Sequence, residues 1–361
     1  MCFDVEDLPA FKLERHANRT MFSFISKTHR NIHRSIDRST GRIIGRKVQR
    51  PGKRAALSVL SALSIALGSS FSGALTHMPV AEAGTMNYGQ CPDNVIVVAR
   101  GSQQNDQIVR TQYNPQSPYI SNGYEERNIR GMLLQLEQRH PGVMKNTMVL
   151  GLLPEYYAAA FPTPEVAEDG DELTAAEAAQ RIAQILRHIP AHIVATTAIQ
   201  GFQESYRNGL AGTVRAINDF EAETGCHPDY ILVGYSQGTM VLGDAEHMLA
   251  ERGQLAGVVH LGDPYRVPGV EGNFGYPRVG KGLLTYAPVI WPTTPPVEGV
   301  PRINYCIRDD IICDTSPTAA KISAHTVGGT HVHYFLDKFP AGEDDERVLD
   351  TLASWLQPKN V

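Results

Sequence analysis

Five short uncharged apolar runs punctuate the chain: Val95–Ala99, Met148–Leu152, Tyr230–Val233, Val258–Leu261 and Ile303–Ile307. Each is four or five residues long, the signature of a strand buried on both faces. Between them the apolar spacing turns helical. Leu210, Val214 and Ile217 share a face ahead of Gly225, which reads as a helix stop. Val241, Ala245, Met248 and Leu249 share another, and Val348, Leu352, Trp355 and Leu356 mark a C-terminal helix ended by Pro358. Thr174 with Glu177 forms a capping box opening a helix expected to bury Ala178, Ile182 and Ile185. Strands alternating with helices predict an α/β fold of three layers, with a central parallel sheet of about five strands. Residues 153–172 and 264–301 are rich in Pro and Gly and predict long surface segments. Loops of that length shape a site more often than they fill a core.

The first 83 residues follow a different pattern. Residues 1–54 carry 13 Lys/Arg and 5 Asp/Glu, Ala55–Leu67 is an uncharged apolar run, and Ala81-Glu-Ala83 supplies small residues for cleavage. A basic region, a short apolar region and an A-x-A site make a secretory signal peptide with an N-terminal extension. The run is too short for a comfortable membrane span, which disfavours an uncleaved anchor. No Arg-Arg pair precedes it, so the general secretory route is expected. The division is thus residues 1–83 as extension and signal peptide and residues 84–361 as one folded domain.

Charge then separates the two parts. Of 33 Lys/Arg and 38 Asp/Glu, 13 and 6 lie in residues 1–83, so residues 84–361 hold 20 and 32, a net of −12. A nucleic-acid partner is excluded, because phosphate binding depends on basic patches. Apart from Cys2, the cysteines are Cys91, Cys226, Cys306 and Cys313. An even count in an exported chain predicts two disulfides, with three connectivities open. Cys91 and Cys226 each precede an expected strand, and Cys306 and Cys313 flank an acidic turn. This favours the pairing Cys91–Cys226 and Cys306–Cys313. Metal binding by the four is a weak alternative, as no C-x-x-C pair occurs.

The chemistry centres on Gly234-Tyr-Ser-Gln-Gly238, which stands between an expected strand and an expected helix. That is the context of a G-x-S-x-G nucleophile elbow, in which a sharp turn lifts the serine hydroxyl clear of the sheet. Gly234 and Gly238 are expected to be small because strand and helix backbones pass close by. The helix N-terminus below favours negative charge, so an oxyanion near the Gln237 N–H would be stabilised. A serine nucleophile also needs a base and an acid to orient it, in the chain order Ser, Asp/Glu, His. Downstream of Ser236 the acids in loop positions are Asp263, Asp309 and Asp310, and the histidines are His325, His331 and His333. Arg100-Gly-Ser102 follows the first strand, where a second oxyanion donor is needed, although Gly-Ser after a strand is often an ordinary turn.

The ordered set of motifs resembles the secreted cutinases, and more closely the cutinase-like esterases of actinobacteria. It comprises Cys91-Pro92 leading into Val95–Ser102, Cys226 ten residues before Ser236, Gly-Tyr-Ser-Gln-Gly, Gly262-Asp-Pro264, Cys306–Cys313 and His331-Val-His-Tyr334. The resemblance implies an α/β-hydrolase fold with Ser236 as nucleophile, Asp310 as acid and His331 as base. It implies Ser102 and the Gln237 N–H as the oxyanion hole, and the two disulfides favoured above. Asp310 is preferred to Asp309 because the family's acid stands four residues after the first cysteine of that pair. His331 is preferred to His333 because the family's histidine precedes a tyrosine by three. The intervals Ser102–Ser236 and Ser236–Asp310 are longer than in the small fungal enzymes. The extra residues are expected in 153–200 and 264–301, as a cover that favours individual lipids or short esters over a polymer.

The expected activity is therefore that of a secreted serine carboxylic-ester hydrolase working through an acyl-enzyme, without cofactor or metal. Its partners would be an ester or lipid substrate and, peripherally, cell-envelope lipid, with the chain acting as a monomer. Competing readings are a phospholipase, a thioesterase, an acyltransferase, or a non-catalytic envelope-binding protein on the same scaffold. His325, His331 and His333 as metal ligands, and Asp263 as the acid, are further alternatives. Tyr156, Tyr157 and Trp291 are candidates for an acyl-chain site or for loop packing.

Overall fold

The computed structural model describes residues 90–164, 175–275, 280–286, 292–323, 329–336 and 342–356. The 1–83 segment, Thr174, the side chain of Ala178, Trp291, His325 and Pro358 lie outside the described residues. Six strands form one sheet: β1 Asn94–Ala99, β2 Thr147–Gly151, β3 Asp229–Tyr235, β4 Leu255–Leu261, β5 Asn273–Gly275 and β6 Arg302–Cys306. Their order is β2-β1-β3-β4-β6-β5, and every pairing is parallel. The expectation of about five strands omits β5. It has only three residues, sits in the Gly-rich 264–301 stretch at the sheet edge, and carries too short a pattern to read.

Alternation along the strands divides the core in two. Ile96, Val98, Ile231, Val233, Val259 and Ile303 face one side, where they meet helices α1 (Glu126–Arg139) and α6 (Glu343–Trp355). Val95, Val97, Tyr230, Leu232 and Val258 face the other, against α3 (Ala191–Thr224) and α4 (Gly243–Glu251). Full burial of each such side chain contributes about 1.5–3 kcal/mol, so covering both faces is what makes a parallel sheet viable. α1 adds a helix to those expected. Its Ile129, Met132, Leu133 and Leu136 keep the i, i+3, i+4, i+7 spacing and are fully buried.

Two helical expectations change. The chain after β3 first makes a 3-10 turn over Ser236–Val241 and only then the α-helix α4. The helix expected to bury Ile182 and Ile185 is α2 (Ala175–His188), and both residues are only half-buried there. α3 ends as expected at Gly225, whose left-handed conformation (φ 69°) closes the helix. A further short helix, α5, spans Pro317–Ser323. Among the described residues no helix is long and apolar enough to cross a membrane.

Candidate active site

The central strands deliver the site. β1 and β3 run side by side with Ala99 opposite Gly234, so the turn after β3 opens beside the turn after β1. Ser236 begins the 3-10 turn at φ 53°, a left-handed conformation that L-residues rarely adopt. Strain of this kind costs of order 1–3 kcal/mol and persists only where the surroundings enforce it. The two glycines show how they do so. A Cβ on Gly234 would stand 2.6 Å from Thr239 Cα, and one on Gly238 would stand 1.9 Å from the Ala99 carbonyl oxygen. Both approaches involve backbone, so neither position accepts a side chain. The sequence expectation about these two residues matches the packing.

Ser102 lies on the adjoining loop, and its hydroxyl donates to Gln237 Oε1 at 3.0 Å. Gln237 Nε2 in turn donates to the Ala160 carbonyl at 3.3 Å. The loop carrying Ser102 is braced by Arg100, which is fully buried. Its guanidinium donates to Leu152 O (2.5 Å), Tyr157 O (3.0 Å) and Asn105 Oδ1 (2.8 Å), and stacks near the rings of Tyr124 and Tyr157. A buried arginine thus ties the end of β1 to the segment after β2.

Asp310 and His331 come together opposite this turn. His331 Nδ1 donates to Asp310 Oδ2 at 2.8 Å, with both residues buried. Asp310 Oδ2 also accepts from the Tyr334 hydroxyl at 2.7 Å, and Oδ1 from the Ile312 N–H at 2.9 Å. Burial, reinforced by the Asp310 charge, holds the Tyr334 phenol well above its usual range and so keeps it a donor. The His331 ring stacks on Tyr235, the residue before Ser236, with centroids 5.1 Å apart, and Tyr235 OH donates to the His331 carbonyl at 2.8 Å. With Nδ1 carrying its proton to Asp310, Nε2 presents a lone pair; it is buried and has no hydrogen-bond partner among the described residues. The structure does not bring Ser236 Oγ into a hydrogen bond with it.

The other candidates part from this group. Asp263 accepts from Tyr265 N–H at 2.8 Å and Asn304 Nδ2 at 2.7 Å, and pairs with His260 Nδ1 at 3.6 Å rather than with His331. Asp309 is half-buried, one residue away from the carboxylate that His331 uses. His333 lies two residues beyond His331, half-buried. Among the described residues one trio brings metal-type ligand atoms together, Cys306, Asp310 and Cys313, and its two sulfurs are bonded to each other. The bridges are Cys91–Cys226 and Cys306–Cys313, the pairing favoured from sequence.

Beside Ser236 lies an apolar pocket, also reached by Ser102 and Gln237. Its walls come from Phe161, Ile199 and Phe202 and from Pro264, Leu283 and Leu284. Both segments expected to cover the site therefore contribute wall residues. Of the acyl-site candidates, Tyr156 and Tyr157 do not, and Trp291 lies outside the described residues. Tyr157 is fully buried beneath Arg100, and Tyr156 OH donates to Asp219 at 2.8 Å. The aromatic walls are instead Phe161 and Phe202, in edge contact at 5.8 Å. Tyr334 and Arg100 also went without a role in the sequence reading. Both stand inside the recognised motifs, but single charges and hydroxyls there say nothing of their partners.

A family model described as Cutinase matches residues 155–338. Among curated proteins none matches. Among solved structures, the chain is similar to a cutinase-like protein from Cryptococcus sp., at 19% identity over 74% of this chain and 96% of that one, with TM-score 0.42. It is also similar to acetyl xylan esterase in an iodinated complex (15% identity, 74% and 100% coverage, TM-score 0.39). The catalytic core domain of acetyl xylan esterase from Trichoderma reesei gives 17% identity, 74% and 100% coverage, and TM-score 0.38.

Proposed function

This chain belongs to the Cutinase family and is a cutinase-like serine ester hydrolase; we propose that it is secreted and cleaves lipid or short-to-medium-chain esters through an acyl-enzyme on Ser236. His331 Nε2 takes the Ser236 proton as Oγ attacks the ester carbonyl. The tetrahedral oxyanion is held by the Gln237 N–H, with the Ser102 hydroxyl rotating from Gln237 Oε1 to join it. Collapse breaks the bond to the alcohol, which leaves with the proton from His331 Nε2. Water then enters, gives a proton to the same nitrogen as its oxygen attacks the acyl carbonyl, and collapse breaks the bond to Ser236 Oγ, which takes that proton back as the acid leaves. Asp310 holds the imidazole in the Nδ1–H tautomer and stabilises its positive form.

The observation that carries this reading is the buried Asp310–His331 pair, whose Nε2 has no partner among the described residues, together with a strained serine. A buried acceptor left unpaired costs about 1–3 kcal/mol, and an incoming proton removes that cost. Catalytic hydrogen bonds are often long before substrate arrives, so the open Ser236–His331 gap is compatible with the mechanism. The apolar pocket supports an acyl chain as the group transferred to the serine. Two disulfides support an oxidising compartment.

An organophosphonate labelling experiment tests it. One adduct per chain is expected, on Ser236, and Ser236→Ala should lose both label and turnover of a chromogenic short-chain ester. Turnover persisting in the alanine variant would overturn the assignment.

A further inference from the structure

The connections around the pocket carry an apolar surface of their own. Among the described residues eleven large apolar side chains are exposed, and four of them, Leu186, Ile189, Ile193 and Ile199, lie along α2, α3 and the joint between them, in the connection from β2 to β3. The densest part is the joint between α2 and α3. There Leu186, Ile189 and Ile193 are 40%, 39% and 47% exposed, around the break at Pro190. Ile199, further along α3, is exposed and also lines the pocket, so this surface is continuous with the pocket wall.

Charge on the same stretch runs against that of the molecule. Residues 84–361 carry a net of −12, yet residues 178–203 hold Arg181, Arg187, His188 and His192 and no Asp or Glu. Exposed aliphatic side chains flanked by basic ones match a lipid surface of negative charge: the apolar groups enter the headgroup boundary while the cations meet the phosphates. A net-negative protein body would be repelled from such a surface unless it presented a local region of this kind.

We propose that the α2–α3 joint, centred on Leu186, Ile189 and Ile193, docks on an anionic lipid bilayer and sets the mouth of the Ser236 pocket at that interface. The proposal rests on the ester-hydrolase reading for what the docked pocket then does, and the binding itself is independent of that chemistry.

Hydrogen exchange on the full chain, with and without vesicles, reads this segment directly, whatever the N-terminal residues bind. Vesicles of phosphatidylcholine with phosphatidylglycerol should protect residues 182–199 at lower lipid concentration than phosphatidylcholine alone. In L186Q/I189Q/I193Q the lipid concentration for half-protection should rise on the order of 100-fold. Arg187→Gln should raise it about fivefold with the anionic vesicles only. Hydrolysis of a soluble short-chain ester should be unchanged in both variants, which also reports that they fold. No protection of 182–199, or equal protection in the triple variant, overturns the proposal. So does protection that appears without lipid and grows with protein concentration, which would assign the surface to a second copy of the chain. Absence of ester turnover in the unmodified protein overturns the esterase reading alone, since protection is still measured.

Discussion

Asp310 is satisfied by three donors, and one of them has a separable effect. Tyr334 OH and His331 Nδ1 both reach Oδ2, while Ile312 N–H takes Oδ1. Tyr334→Phe removes a hydrogen bond to a buried carboxylate, worth about 1.5–3 kcal/mol. The carboxylate then loses the hydroxyl that helps hold Oδ2 toward His331 Nδ1, and the imidazole is oriented less firmly. Two outcomes are expected: kcat falls about tenfold, and KM stays close to its original value. A role confined to packing would lower the melting temperature and leave kcat unchanged, so the split between kcat, KM and stability decides it. At this scale the sequence was legible only through its motifs. Spacing left Asp263, Asp309 and Asp310 equal, and the resemblance separated them. Tyr334 stayed silent because a tyrosine in a motif does not disclose the target of its hydroxyl.

Elements place these residues, and the 306–313 loop shows how. β6 ends at Cys306, the chain turns through Asp309 at φ 64°, and the bridge to Cys313 returns it within seven residues. Inside that loop Asp310 N–H bonds the Ile307 carbonyl at 3.4 Å, and its own carbonyl accepts from Asp314 N–H at 2.8 Å. Closing so short a loop contributes about 2–3 kcal/mol in the chain-entropy model. The larger consequence is positional, since an error of about 1 Å at a reacting group lowers rates roughly 100-fold. Cys306→Ser with Cys313→Ser should therefore cut turnover sharply while the melting temperature falls only modestly. Full turnover in this variant would mean that Asp310 is not positioned by the loop. The strong apolar runs made β1, β2, β3, β4 and β6 legible from sequence. β5 and the 3-10 turn after Ser236 were not, because three residues carry no period and a 3-10 turn shares its apolar spacing with the start of an α-helix. Phe161 and Phe202 were missed as pocket walls for a related reason. They meet across the fold from different stretches, and no local pattern links them.

Across the whole molecule the two bridges sit at opposite edges of the sheet. Cys91 precedes β1 and Cys226 precedes β3, so their bond closes the N-terminal edge of the central strand pair, where Asn94 stands opposite Asp229. Asp229 N–H also bonds the Asp93 carbonyl at 3.1 Å there. Ser236, Asp310 and His331 all follow the C-terminal edge, beyond β3 and β6. The bridge spans a sequence separation of 135 residues, which gives about 5 kcal/mol in the same model. For a domain of this size such a loss lowers the melting temperature by roughly 10–20 °C. Cys91→Ser with Cys226→Ser is accordingly expected to melt far earlier, yet to keep most of its activity at room temperature. The contrast with the Cys306 and Cys313 variant is the measurement: one bridge should act on stability, the other on rate. Register explains the separation. The pairing from Val95 and Tyr230 to Val98 and Val233 is fixed by side chains buried on both faces, and a one-residue slip would turn each to the wrong layer. Once that pairing has formed, loss of the N-terminal bond leaves the C-terminal geometry standing until the domain melts. If activity at room temperature falls in step with the melting temperature, the two edges are coupled more tightly than this register implies.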